Sequence, residues 1–238
     1  EYVKNMFSSD VPLVERLIDA FDNTEIRTRN FCKPLDYYSV HRGFPERNTE
    51  YINISLEYSI KAIIECCNLT GITPDEITDI LFVSTTGLAT PSLDALIINK
   101  MKLNPNINRI PIWGLGCAAG VSAVAKANVI ATANPNAVVL IVAVELCSLT
   151  FLKDDFTKSN FIASSLFSDG IAAAIIKGDK HETKKRISIL ASTSKLYYDS
   201  LDVMGWEFLE SGFKVIFSKD IPTIIHSHIN DDVLSLLS

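Results

Sequence analysis

The chain has 238 residues, 47% of them hydrophobic and 21% charged, with a formal net charge of −6. That is the composition of a folded globular protein long enough for one or two domains, and it excludes an intrinsically disordered chain. The acidic balance argues against a general nucleic-acid-binding role, which needs a basic surface.

The longest strongly apolar stretch, 137–144, is far too short to span a bilayer, and no basic segment followed by an apolar one opens the chain. A cytoplasmic location with no transmembrane segment is the expectation. The five cysteines (Cys32, Cys66, Cys67, Cys117, Cys147) show neither a disulfide framework nor metal-ligand spacing. The four histidines (His41, His181, His226, His228) do not pair with a cysteine at ligand distance, so neither a metal nor another cofactor is assigned.

Ser9, Asp10 and Pro12 form a plausible helix start, followed by Val14, Leu17, Ile18 and Phe21 at helical spacing. Residues 24–47 carry Arg27, Arg29, Lys33, Arg42 and Arg47 among Pro34, Gly43 and Pro45. They read as an irregular basic loop, either a solvated surface or an entrance for an anionic ligand. Asn48 and Thr49 can cap a long helix to about residue 69, stopped by Gly71.

From Thr78 the pattern alternates. Strands are expected at 79–84, 109–113, 137–145 and 170–177, and helices at 91–102, 118–134 and 156–167. The unbroken apolar run 137–145 is that of a strand buried on both faces. Such a layout implies a mostly parallel sheet covered by helices, with chemistry gathered at the carboxyl ends of strands. Residues 178–185 read as a polar connection and 187–198 as a further strand. A hairpin turning on Glu210-Ser211-Gly212 and a helix over 218–237 with Pro222 in its first turn complete the chain.

The stretch 109–122 stands out: Arg-Ile-Pro-Ile-Trp-Gly-Leu-Gly-Cys-Ala-Ala-Gly-Val-Ser. A β-favouring run meets a Gly-x-Gly turn, and Cys117 then sits where an alanine-rich helix opens. Glycines permit the sharp turn, and the helix start aims its unpaired N–H groups at the sulfur. The local pattern leaves two readings open, a nucleophile or a small core cysteine.

Five motifs in order then resemble the type III polyketide synthases, the chalcone and stilbene synthase family, and most of all its bacterial alkylpyrone-forming members. They are Val-Ser-Thr-Thr-Gly-Leu-Ala-Thr-Pro-Ser (83–92), Gly-Leu-Gly-Cys-Ala-Ala-Gly (114–120), Val-Glu-Leu-Cys-Ser-Leu-Thr-Phe (144–151), Leu-Phe-Ser-Asp-Gly-Ile-Ala-Ala (166–173) and Gly-Phe-Lys-Val-Ile-Phe-Ser-Lys-Asp-Ile-Pro (212–222). The resemblance implies an α/β, thiolase-like fold with βαβαβαββ halves, a homodimer, and CoA thioesters as substrates. It divides the chain into a nucleophile-bearing half, 1–183, and the start of a second, incomplete half, 184–238.

The resemblance makes Cys117 the nucleophile that takes an acyl group from a starter acyl-CoA before extension with malonyl-CoA. It makes Phe167 a gatekeeper between CoA tunnel and cavity, and Thr85, Glu145, Cys147 and Thr150 cavity-lining residues. Thr90 matches the residue that reaches into the partner's cavity. Val215 stands where plant enzymes carry a second gatekeeper phenylalanine, and Gly205 lies near the position whose bulk limits the cavity; both small residues predict room for long aliphatic starters. Arg16 matches one CoA-phosphate cation, while Asp19 and Asn23 occupy the other two such positions. The family's catalytic His and Asn have no counterpart here, and His226 and His228 read as exposed helix residues. The expectation is therefore a portion of a longer enzyme, inactive alone. Another thiolase-fold condensing enzyme, of the ketoacyl-carrier-protein synthase or hydroxymethylglutaryl-CoA synthase type, and an inert dimerisation fragment are the alternatives.

Overall fold

A computed structural model describes residues 14–15, 18–181 and 187–238. Two compact units interleave along the chain: one of Glu1–Arg47, Leu146–Asp169 and Lys195–Ser238, the other of Asn48–Glu145 and Gly170–Ser194. Seven α-helices and six strands occur among the described residues.

The second unit is built on a sheet in the order β2-β1-β3-β4, from β1 (Asp79–Val83), β2 (Asn108–Ile112), β3 (Val138–Leu146) and β4 (Asp169–Lys177). β1 runs parallel to both neighbours, pairing Leu81 with Ile110 and with Ile141. Every residue of β1 is buried, as an apolar run without alternation requires. Helix α5 (Ala119–Ala133) lays Ala119, Ala123 and Ala127 against this sheet, and Ala131, one turn on, is also buried. A methyl at every fourth position lets the helix approach Leu81, Val83, Val139 and Ile141 closely. By length and composition the stretch Gly116–Ala133 is apolar enough to cross a bilayer. Only its alanine stripe is buried; Val121 and Val129 of the same stretch are exposed.

The long helix α3 spans Phe44–Thr70, opening four residues before the expected Asn48 cap because Pro45 suits a first turn. Tyr51, Ser55, Ser59, Ile63 and Cys67 recur every fourth residue and are almost fully buried. Gly71 follows with φ +69°, the left-handed stop that glycine tolerates. Helix α4 (Leu93–Met101) begins after Ser92, so Pro91 precedes the helix instead of lying in its first turn.

The first unit holds the short helices α1 (Asp19–Asn23) and α2 (Leu35–Ser39), helix α6 (Lys158–Leu166), and a hairpin of β5 (Met204–Leu209) and β6 (Gly212–Phe217). Phe161 of α6 is fully buried and meets Phe21 edge-on, ring centroids 5.6 Å apart. The turn of the hairpin is Glu210-Ser211, and Gly212, at φ +121°, already belongs to β6. Helix α7 (Ile221–Leu237) carries Pro222 in its first turn, as expected, and has no buried residue.

The expected helix at 156–167 shortens to Lys158–Leu166 because Thr157 caps it, accepting from the Asn160 N–H at 3.3 Å. The expected strand at 187–198 does not form. Its alternation is real, but a strand exists only where another edge receives its backbone groups. Ile187, Leu190 and Tyr198 are at least 90% exposed there. Arg16, Leu17 and the proposed start at Ser9, Asp10 and Pro12 lie outside the described residues.

Candidate active site

Cys117 lies in a short 3-10 turn, Gly116–Ala118, that runs directly into α5. Gly114 and Gly116 take φ of +89° and +53°, conformations that a side chain resists, so the Gly-x-Gly spacing follows from the turn itself. The thiol is exposed. A sealed core cysteine is therefore ruled out within this unit, and the sulfur stands beside the first turn of a helix, open to a reagent.

At the carboxyl ends of β1 and β3 a polar cluster replaces the apolar core. Glu145 accepts from the Thr85 N–H at 3.1 Å and from the Thr85 hydroxyl at 2.9 Å. Tyr51 of α3 donates to Ser84 Oγ at 2.8 Å, and burial pushes its phenol up to about 12. The loop that follows is held along its length. Asn48 accepts from the Leu88 N–H at 2.8 Å and donates to its carbonyl at 2.9 Å, and the Trp113 indole donates to the Gly87 carbonyl at 3.1 Å. Gly87 is obligatory, since a Cβ there would stand 2.1 Å from the Tyr51 ring. Thr90 is exposed at the end of this pinned loop.

Burial is the largest influence on Glu145 and raises its carboxyl above the ordinary 4.5, against the Thr86 and Thr85 hydrogen bonds. The folded state then holds this proton longer than the unfolded chain does. The stability it confers is complete below about pH 4.5 and is lost as pH rises through the folded value. Glu145→Gln is expected to remove that slope, so that Tm measured from pH 4 to pH 8 flattens relative to the parent. An unchanged slope would assign it to other groups.

Four of the expected site residues meet around an apolar cavity of about 90 Å³ in the first unit: Cys147, Thr150, Phe167 and Val215. Phe167 ends α6, with its ring centroid 6.4 Å from those of both Trp206 and Phe217. Val215 is buried and pairs in register with Trp206. Gly205 does not line this cavity; it pairs with Ile216 on the hairpin, and a Cβ there would meet open space. Arg16 lies outside the described residues. His226 and His228 are exposed on α7, and His228 stacks on Tyr197 with ring centroids 4.4 Å apart.

The cavity wall depends on two residues to which the resemblance gives no role. Asp169 is buried and accepts from the N–H groups of Cys32 and Ser148, at 2.6 and 2.8 Å, and from the Ser148 hydroxyl. Arg47, also buried, donates to the carbonyls of Leu149 (2.8 Å), Phe151 (3.2 Å), Arg42 (3.2 Å) and Ser211. Of the basic segment, Arg47 is thus structural, while Arg42 lies over the Tyr37 ring and pairs with Glu46. Cys32 is no rival to Cys117, because burial, then the neighbouring Asp169 charge, pushes its thiol up to about 12. Asp169 lies within the 166–173 motif, ahead of an apolar strand, but the motif by itself gives it no role.

The sequence pattern of chalcone and stilbene synthases, N-terminal domain, matches residues 45–180. A candidate chalcone synthase of Bacillus subtilis (strain 168) is 42% identical over 243 residues, covering 98% of this chain and 67% of that protein. The 1,3,6,8-tetrahydroxynaphthalene synthase of Streptomyces peucetius subsp. caesius is 30% identical over 215 residues, 90% of this chain and 57% of that one. Among solved structures, the 1,3,6,8-tetrahydroxynaphthalene synthase of Streptomyces coelicolor A3(2), a bacterial type III polyketide synthase, superposes with a TM-score of 0.87 at 31% identity. It covers 92% of this chain, which spans 62% of that structure. The C-terminal type III polyketide synthase domain of Steely1 from Dictyostelium gives the same TM-score at 25% identity, over 97% of this chain and 65% of that one. The present chain thus spans between about half and two thirds of the length of these relatives.

Proposed function

This chain belongs to the chalcone and stilbene synthase family, the type III polyketide synthases with a thiolase-like fold, and from that premise we propose that it carries the acyl-loading half of such an enzyme. Residues 1–183 form the nucleophile-bearing half and 184–238 begin the second. The Cys117 thiolate attacks the carbonyl of a starter acyl-CoA, the CoA thiolate leaves, and an acyl thioester remains on the protein. Malonyl-CoA then loses carbon dioxide, and its enolate attacks that thioester; repetition gives a chain that cyclises to an alkylpyrone. The enolate oxygen needs hydrogen-bond donors where its charge develops. The resemblance assigns this role to a His and an Asn that have no counterpart in these 238 residues, so the chain alone is inactive in condensation, and loading of Cys117 is the step it retains. A homodimer in which Thr90 reaches the partner, Arg16 as a CoA contact, and a cytoplasmic location complete the proposal, which requires no cofactor.

The observation that carries it is the exposed Cys117 at a glycine turn opening α5. Iodoacetamide at neutral pH, followed by peptide mass mapping, tests it: Cys117 is expected to label first, far ahead of Cys32 and Cys147. Incubation with a long-chain acyl-CoA is expected to add one acyl mass at Cys117. Labelling of Cys117 no faster than of Cys147, with no acyl adduct, would support an inert dimerisation fragment. In the longer enzyme, repeated condensation releases a ring, whereas a single β-keto or hydroxy acid would point to another thiolase-fold condensing enzyme.

A further inference from the structure

Resting on that acyl-loading reading, we infer that Asp169 is a positioning residue that sets which acyl chain lengths the apolar cavity of the first unit accepts. Besides the β5–β6 hairpin, three chain segments supply this wall: Phe31 and Tyr38 from one, Cys147 and Thr150 from the second, Phe167 from the third. Asp169 does not line the cavity, yet its carboxylate ties all three together. Oδ1 accepts from the Ser148 N–H at 2.8 Å, and Oδ2 accepts from the Cys32 N–H at 2.6 Å and from the Ser148 hydroxyl at 2.5 Å. The Ser148 oxygen in turn stands 2.7 Å from Tyr38 Oη. The Asp169 N–H itself donates to the Asn30 carbonyl at 3.0 Å. Phe167 is two residues upstream of this clamp, Cys147 one residue before Ser148, and Phe31 one before Cys32.

Only an acceptor with two oxygens can serve these partners, since all three are donors. An asparagine would turn an NH2 group toward one of the two backbone N–H groups, donor against donor, and release one segment. In a cavity of about 90 Å³ such a release changes what fits, because close-packed walls transmit small displacements.

The test uses this chain with Trp113→Phe, leaving Trp206, the other of its two tryptophans and part of the cavity wall, as the reporter. S-alkyl N-acetylcysteamine thioethers of increasing length, which cannot transfer their alkyl group, are titrated against Trp206 emission. In the parent, affinity is expected to climb by up to roughly fourfold per methylene and then level when the cavity is full. Asp169→Asn is expected to flatten this climb and weaken the best-fitting thioether by about tenfold, with the far-UV spectrum and Cys117 labelling unchanged. Ser148→Ala, which removes the hydroxyl arm and keeps the backbone N–H, is expected to fall between the two. A length profile in Asp169→Asn identical to the parent's would overturn the inference. Should that variant not fold, the Ser148→Ala profile decides in the same way. No length-dependent response in the parent itself would instead remove the acyl-chain reading of the cavity.

Discussion

Arg47→Met is expected to lower stability by on the order of 4 kcal/mol, the largest loss foreseen for a single side chain here. The Arg47 guanidinium is 7% exposed, and the four partners it donates to are backbone carbonyls drawn from three separate parts of the first unit. Leu149 and Phe151 flank the cavity segment, Ser211 is the hairpin turn, and Arg42 precedes α3. Methionine fills most of the volume but donates nothing, so several buried carbonyls lose their partner, each at about 1–3 kcal/mol before relaxation. Arg47→Lys is expected to recover little, because an ammonium is a point donor and does not span the fork. Burial already lowers the Arg47 pKa, the price of holding a cation among carbonyls. Urea unfolding with an unchanged m-value is the measurement, and a midpoint shift of about 2 M is expected. A loss under about 1 kcal/mol would mean that water replaces the guanidinium without difficulty.

Cys117→Ser is expected to abolish acyl loading, with a rate at least about ten-thousandfold below the parent. A serine hydroxyl at this position has no adjacent base to activate it among the contacts of the turn, whereas a thiol needs none to react as thiolate. Because the Cys117 side chain is exposed, Cys117→Ala is expected to unfold within about 0.5 kcal/mol of the parent. The measurement is intact mass after incubation with acyl-CoA, with thermal unfolding alongside. An acyl adduct that persists in Cys117→Ala, on Cys147 or elsewhere, would move the nucleophile away from the glycine turn.

The two substitutions separate what the chain says locally from what it says only when folded. The Cys117 turn was legible because its requirements lie within a few neighbours: glycines where φ is positive, a β-favouring run before, small helix formers after. Strand β3 was legible for a similar reason, since an apolar run without alternation has no solvent face to offer. The alanine stripe of α5 announces a close helix-to-sheet approach by its own spacing.

Arg47 could not be assigned in this way. Along the chain it is one more cation in a basic segment, equally suited to a wet surface or to an anion entrance, and only its long-range partners Leu149, Phe151 and Ser211 make it a buried strut. Asp169 is the same case, its donors Cys32 and Ser148 being distant in sequence. Residues 187–198 show the converse, for their alternation is that of a strand, yet they join neither sheet among the described residues. By itself, then, the sequence determined most of the elements, the family pattern and the setting of Cys117, because propensity and periodicity act between near neighbours. The tertiary structure alone decided which polar side chains are buried, what they bind, and which residues share the apolar cavity. Those outcomes depend on desolvation and on hydrogen bonds between segments that the linear order keeps apart.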